Sequence, residues 1–181
     1  MLSRFYLITG CSGGGKSTLL AALAAAGHAT VPEPGRRILA EARRRGGPFP
    51  WVDPAGFAQR ALDVARDDLA TARRLRGPVL FDRGVVDAAV ALHHSAGVPL
   101  LSHAPARAYA RTVFVAPPWP ALFARDAARR HSFEAAVAEY HRICAALPHL
   151  GYRIVHLPRA PVAARVRFVR ARSIARGRPA R

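Results

Sequence analysis

At 181 residues the chain has the length of one ordinary α/β domain, and its two cysteines, Cys11 and Cys144, are too few for a disulfide framework or a thiolate metal site. The formal charge of +17 points toward polyanions, but no aromatics interleave with the arginines and no RNA- or DNA-binding signature occurs. Weak, salt-sensitive attraction is expected, without a dedicated nucleic-acid partner. The longest charge-free run, Ser17 to Pro32, is shorter than a membrane span, and no stretch reads as a signal peptide, so no membrane role and a cytoplasmic location are expected.

The first element is Phe5–Thr9, a short apolar run with the aromatic and branched residues of a buried strand. It meets Gly10-Cys11-Ser12-Gly13-Gly14-Gly15-Lys16-Ser17, which fits the phosphate-loop pattern G-x-x-x-x-G-K-[ST] at every fixed position. Lys16–Ala26 then reads as a helix stopped by Gly27. Strand, glycine turn and helix start let successive backbone N–H groups and the helix dipole converge on phosphate. Lys16 is the only lysine among 28 basic residues. Arginine serves everywhere else, and the exception falls where a slim ammonium must reach between phosphates. Gly10 to Thr18 is therefore predicted to bind a nucleoside triphosphate, with the Ser17 hydroxyl on Mg²⁺. No Asn/Thr-Lys-x-Asp guanine motif is present, which favours ATP over GTP.

The second strand, Ala29–Val31, leads to Pro32-Glu33-Pro34, where two prolines stiffen the turn carrying the acid. Glu33 is either a helix-start carboxylate before the Arg36–Arg45 helix or a general base facing the γ-phosphate. A loop at Gly46–Trp51 precedes a helix over Pro54–Leu75. Phe49, Trp51, Asp53 and Phe57 are candidates for an acceptor pocket, as an aromatic-lined cleft with one carboxylate suits a sugar or nucleoside. The third strand, Val79–Phe81, ends in Asp82-Arg83. An apolar strand closing on an acid is the Walker B arrangement, so Asp82 is the second predicted Mg²⁺ ligand, and Arg83 is suited to a phosphate or substrate group. Asp87, one turn into the Val85–Ser95 helix, reads as a cap.

The fourth strand, Thr112–Ala116, is followed by a proline-rich turn and a basic stretch in which Arg125 and Arg129 are i, i+4 neighbours. That stretch is either a lid closing on the phosphates or a solvated basic helix. Arg107 and Arg142 are basic positions that strand-end reasoning leaves away from the site. Ser132–Leu147, a fifth strand at Arg153–Leu157 and a helix at Pro161–Arg172 complete the pattern. Val162, Val166 and Val169 form a stripe that should dock the last helix on the body. Strands interleaved with helices predict a five-stranded parallel sheet in a three-layer α/β/α domain over residues 1–176, with a basic tail at 177–181. Ligands in such a sheet sit beyond the C-terminal strand ends.

The stretches ITGCSGGGKSTLL, VPEPGRRIL, PFPWVDPAGFA, GPVLFDRG and VFVAPPWPALFARDAARRHSFEAA resemble the small bacterial AAA-domain predicted ATPases, single-domain P-loop NTPases. No sensor arginine, second helical domain or ring-forming arginine finger accompanies them. The core is similar to the nucleoside and nucleotide kinases, thymidylate kinase and the deoxynucleoside kinases among them. That resemblance implies a catalytic base at Glu33, an acid-arginine pair at Asp82-Arg83 and lid arginines at Arg125 and Arg129. The long lid of thymidylate kinase and a known nucleoside-pocket sequence are missing. Mg²⁺-dependent ATP binding with phosphoryl transfer to an unknown small-molecule acceptor is the activity expected. The alternative is a switch that hydrolyses ATP or GTP without an acceptor.

Overall fold

The computed structural model describes residues 3–47, 49–100, 108–123 and 131–173. Five parallel strands, β1 (Phe5–Gly10), β2 (Ala29–Val31), β3 (Val79–Asp82), β4 (Thr112–Ala116) and β5 (Arg153–His156), form one sheet in the order β2-β3-β1-β4-β5. Six helices connect and cover them: α1 (Lys16–Ala25), α2 (Pro34–Arg45), α3 (Pro54–Ala72), α4 (Val85–Ala96), α5 (Phe133–His149) and α6 (Val162–Ser173). All five strands are those expected from the sequence, and the three-layer α/β/α architecture follows.

The strands read as continuous apolar runs because both sheet faces are buried. Their residues alternate between two cores. Leu7, Phe81, Val113 and Val115 pack toward α3, α4 and α5, while Ile8, Leu80 and Phe114 pack toward Leu19, Leu20 and Leu23 of α1 and Val169 of α6. Each such side chain contributes about 1.5–3 kcal/mol on burial. With the valine stripe turned inward, α6 lies against α1.

Helix starts follow local chemistry. Asp53 accepts the Gly56 N–H at 2.8 Å with Pro54 opening α3, and Ser132 accepts the Ala135 N–H at 3.2 Å to open α5. Helix α3 stops at Ala72, three residues before the sequence reading has it. The Arg4 guanidinium there donates to the carbonyls of Ala72 (3.2 Å) and Arg73 (3.0 Å), so the end is tied to the sheet. With all strands parallel and β1 central, the residues following β1, β2, β3 and β4 meet along one edge.

Candidate active site

The loop between β1 and α1 is held against β4. Cys11 N–H donates to the Ala116 carbonyl at 2.9 Å. At Gly10, φ is +106°, and a Cβ would fall 2.4 Å from that same carbonyl oxygen, so only glycine fits. Gly15 enters α1 at φ +72°, where a Cβ would stand 2.7 Å from a guanidinium nitrogen of Arg165. Lys16 is buried, and its Nζ donates to the carbonyls of Cys11 (2.8 Å) and Gly10 (3.3 Å). Burial, then the nearby Arg83 charge, lower its pKa.

Ser17 and Asp82 come together as the sequence predicts. Ser17 Oγ donates to Asp82 Oδ2 at 2.9 Å, while Asp82 Oδ1 is buried with no hydrogen-bond partner. Burial raises the Asp82 pKa, and Glu33 adds to the rise. An orphaned carboxylate oxygen beside a hydroxyl fits Mg²⁺, a hard cation that binds through one or two protein oxygens plus phosphate and water. No group of three metal-ligating side chains exists among the described residues, so such an ion would draw its other ligands from nucleotide and solvent.

Across the edge, Arg83 adopts φ +59°, unusual for a non-glycine residue, and is buried in a shell of carboxylates. Its Nη1 lies 2.7 Å from Glu139 Oε1 and 3.2 Å from Asp87 Oδ1, and its Nε is 3.3 Å from Glu33 Oε1, an ion pair without hydrogen-bonding angles. Burial alone would depress the guanidinium pKa, but Glu139, Glu33 and Asp87 outweigh it and hold it above the usual arginine range. Glu33 also pairs with Arg36 at 3.3 Å. It stands at the N-cap of α2 without capping it through its side chain. Asp87 does cap α4, accepting the Gly84 N–H at 3.1 Å, and it also accepts from Thr9 Oγ1 and Arg83. Burial pushes its carboxyl up to about 6.

These groups line a cleft of about 710 Å³ that runs from Ser12–Thr18 past Glu33 and Arg83 into a chamber between α2, α3, α4 and α5. Of the four pocket candidates read from the sequence, Phe57 lines the chamber. Phe49 and Trp51 instead stack on each other at 5.0 Å, with Trp51 exposed, and Asp53 is spent capping α3. The aromatic cluster marks a stiff entry to α3, and the chamber walls are largely aliphatic. Arg142, set apart by the strand-end argument, does line the cleft, because α5 runs along it. Beyond β4 a 3-10 turn spans Pro120–Leu122. Arg125 and Arg129 lie outside the described residues.

Two contacts at the cleft escape the sequence reading. Glu139 reaches the site from the middle of α5, far from any strand end. Arg165, in the helix read over Pro161–Arg172, is buried and donates to the carbonyls of Gly14 (2.9 Å) and Gly15 (3.3 Å) from behind the loop. Burial lowers its pKa. Acid scarcity could have found Glu139. In a chain with 11 acidic residues, Glu33, Asp82, Asp87 and Glu139 converge here.

Comparisons with known proteins agree with this geometry. A family model described as AAA domain matches residues 5–165. The chain belongs to that family. No curated protein matches the sequence. Among solved structures the chain is similar to deoxyadenosine kinase from M. mycoides (TM-score 0.63, 10% identity, covering 94% of this chain and 98% of that one). It is also similar to shikimate kinase from Acinetobacter baumannii (0.58, 14%, 98% and 97%) and thymidylate kinase from Ehrlichia chaffeensis (0.53, 14%, 94% and 96%). At these identities the likeness shows a shared P-loop kinase fold.

Proposed function

We propose that the chain is a Mg²⁺- and ATP-dependent phosphotransferase acting on a hydroxyl group of a small molecule, a nucleoside or similar acceptor. The observation that carries this reading is the continuity of the cleft. The phosphate loop opens past Glu33 into a chamber between α2, α3, α4 and α5, all within one cleft of about 710 Å³, which a hydrolytic switch has no use for. Likeness to three small-molecule kinases supports it.

In this mechanism the amides of Gly10 to Thr18 and the α1 N-terminus cradle the triphosphate. Lys16 exchanges its two loop carbonyls for phosphate oxygens. Ser17 and Asp82 would hold Mg²⁺, which when bound neutralises charge on the transferring phosphoryl group. Glu33, oriented by Arg36 and Arg83, takes the proton of the acceptor hydroxyl. Asp87 and Glu139 fix Arg83 so that it can orient Glu33 without drifting toward the phosphates. Arg125 and Arg129 would close over the phosphates, and alanine at either should lower turnover more than ATP affinity.

The test incubates the full chain with Mg²⁺ and γ-labelled ATP against nucleosides, nucleoside monophosphates and hydroxy acids. Label should move to an acceptor, with ATP loss slow in its absence. ATP hydrolysis that no acceptor accelerates, with no labelled product, would favour the switch.

A further inference from the structure

The cleft contains cations of two kinds. Arg83 and Arg36 have carboxylate partners, whereas Lys16 is held by carbonyls alone, at the position built for an anion. Arg142 belongs with Lys16. Its side chain lines the chamber, partly buried, and makes no hydrogen bond or ion pair with any described residue.

Its surroundings sharpen the point. The cleft it lines is walled in part by the apolar Phe57, Ala61 and Ile143. The described acids that line the cleft are Glu33, Asp87 and Glu139, the last one turn before Arg142 on α5, and all three are already paired with Arg83. On α4, His94 and Ser95 line the same cleft, and Ser95 Oγ is buried with no hydrogen-bond partner among the described residues. His94 and Ser95 follow Asp87 by seven and eight residues, roughly 10–12 Å along the helix. That span, counted from Asp87, which like Glu33 contacts Arg83, is about the length of a small metabolite. A partly buried guanidinium in a cleft whose described acids are already paired is suited to an anion that arrives with the ligand.

We propose that Arg142, with His94 and Ser95, forms an anion subsite, so that the acceptor is a small hydroxylated molecule bearing a carboxylate or phosphate rather than a neutral nucleoside. This rests on the phosphotransferase reading for the acceptor's identity, though not for the binding of the anion.

The experiment first saturates the phosphate loop with Mg²⁺ and a non-hydrolysable ATP analogue, which removes the competing anion site. The chain is then titrated calorimetrically with two matched pairs, shikimate against its methyl ester and thymidine 5′-monophosphate against thymidine. The pair that responds tells carboxylate from phosphate. An anion should bind roughly ten- to hundredfold more tightly than its neutral partner, the range of a charge-assisted hydrogen bond. R142Q should erase the difference and R142K retain part of it, with nucleotide affinity and thermal midpoint measured as checks on the fold. The proposal is overturned if the neutral member binds as well, if R142Q keeps the preference, or if no anion in a panel widened to other small carboxylates and monophosphates binds. Transfer from ATP is followed separately. Anion binding without transfer sinks the phosphotransferase reading alone, and transfer to a neutral acceptor sinks the subsite alone.

Discussion

On the phosphate-loop side of the cleft, Lys16 and Arg165 are buried against the carbonyls of Gly10, Cys11, Gly14 and Gly15, with no carboxylate in contact among the described residues. Beside them Arg83, equally buried and itself donating to the Gly10 carbonyl at 3.3 Å, is enclosed by Glu33, Asp87 and Glu139. Both arrangements remove positive charge from water, which is expensive. They differ in what offsets the cost. Arg83 carries its counter-charge within the protein, so it can fix the geometry of neighbouring carboxylates whether or not a ligand is bound. Lys16 has no carboxylate in contact among the described residues, only the more distant charges of Asp82, Glu33 and Glu139, and a triphosphate would supply the close counter-charge. A cation left without an acid is thus a record of an absent anion.

The largest expected effect attacks the uncompensated side directly. Lys16→Ala should remove detectable Mg²⁺-ATP turnover, since losing one donor to a developing charge already costs on the order of 10²–10³ in rate. Lys16→Arg should fail almost as badly, because the enclosed slot admits a slender ammonium and not a planar fork. Titration with ATP and its non-hydrolysable analogue checks both. Normal turnover by Lys16→Arg would show that charge alone, and not the width of the slot, is what the loop requires.

On the compensated side the expected loss is confined to chemistry. Glu33→Gln keeps the shape of the side chain but cannot accept a proton. Phosphoryl transfer should slow by on the order of 10²–10⁴-fold while ATP affinity is retained. Single-turnover transfer with the identified acceptor reads the chemical step. If the rate is untouched, Glu33 only balances Arg36 and Arg83, and the comparison reduces to electrostatics without catalysis.

How much of this contrast the sequence disclosed depends on the distance over which each residue acts. Glu33 and Asp82 sit within two residues of strand ends, Lys16 and Ser17 open the helix directly after the loop that follows β1, and a parallel sheet gathers its strand ends along one edge. Their proximity was therefore legible. Glu139, Arg142 and Arg165 lie within helices, and their convergence depends on how α5 and α6 rotate as they pack. Hydrophobic spacing fixes that rotation only coarsely. The valine stripe correctly docked α6, but it gave no sign that Arg165 shares the buried face, since an arginine beside valines reads as a solvated boundary residue. The aromatic run at Phe49 and Trp51 misled for the opposite reason. Large aromatics suggest a pocket, but here they stack on each other at a helix entrance.

A smaller effect is expected from Arg165, where stability and function should separate. Arg165→Met leaves two loop carbonyls short of a donor but also removes a buried charge that no acid among the described residues neutralises. The two consequences oppose each other, so the thermal midpoint should move by only a few degrees in either direction, at about 2–4 °C per kcal/mol for a chain of this size. Nucleotide affinity should nonetheless fall roughly tenfold, as carbonyls no longer held from behind can turn toward the phosphates. A midpoint that collapses while affinity survives would make Arg165 a structural strut and remove it from the uncompensated set.

The subtlest consequence is a proton. Burial, and then Arg83, hold the Lys16 pKa below its ordinary value in the free protein. In the window between that lowered value and the ordinary one, the unfolded chain binds more protons than the folded chain. Stability from this group therefore rises as pH climbs through the window. Nucleotide binding has the opposite sign. A triphosphate favours the ammonium and raises its pKa, so the complex takes up protons and affinity falls as pH climbs through the free protein's value. Asp82 complicates any measurement with metal, because its pKa is raised and Mg²⁺ must displace its proton, which strengthens binding as pH rises on the acid side. Metal-free nucleotide isolates the Lys16 contribution. Calorimetry in buffers of differing ionisation enthalpy, on the alkaline limb, should register fractional proton uptake with nucleotide alone, while thermal unfolding over the same pH range shows stability constant or rising. Affinity and stability moving together there would mean that Lys16 is not the titrating group, and that the loop side carries a counter-charge after all.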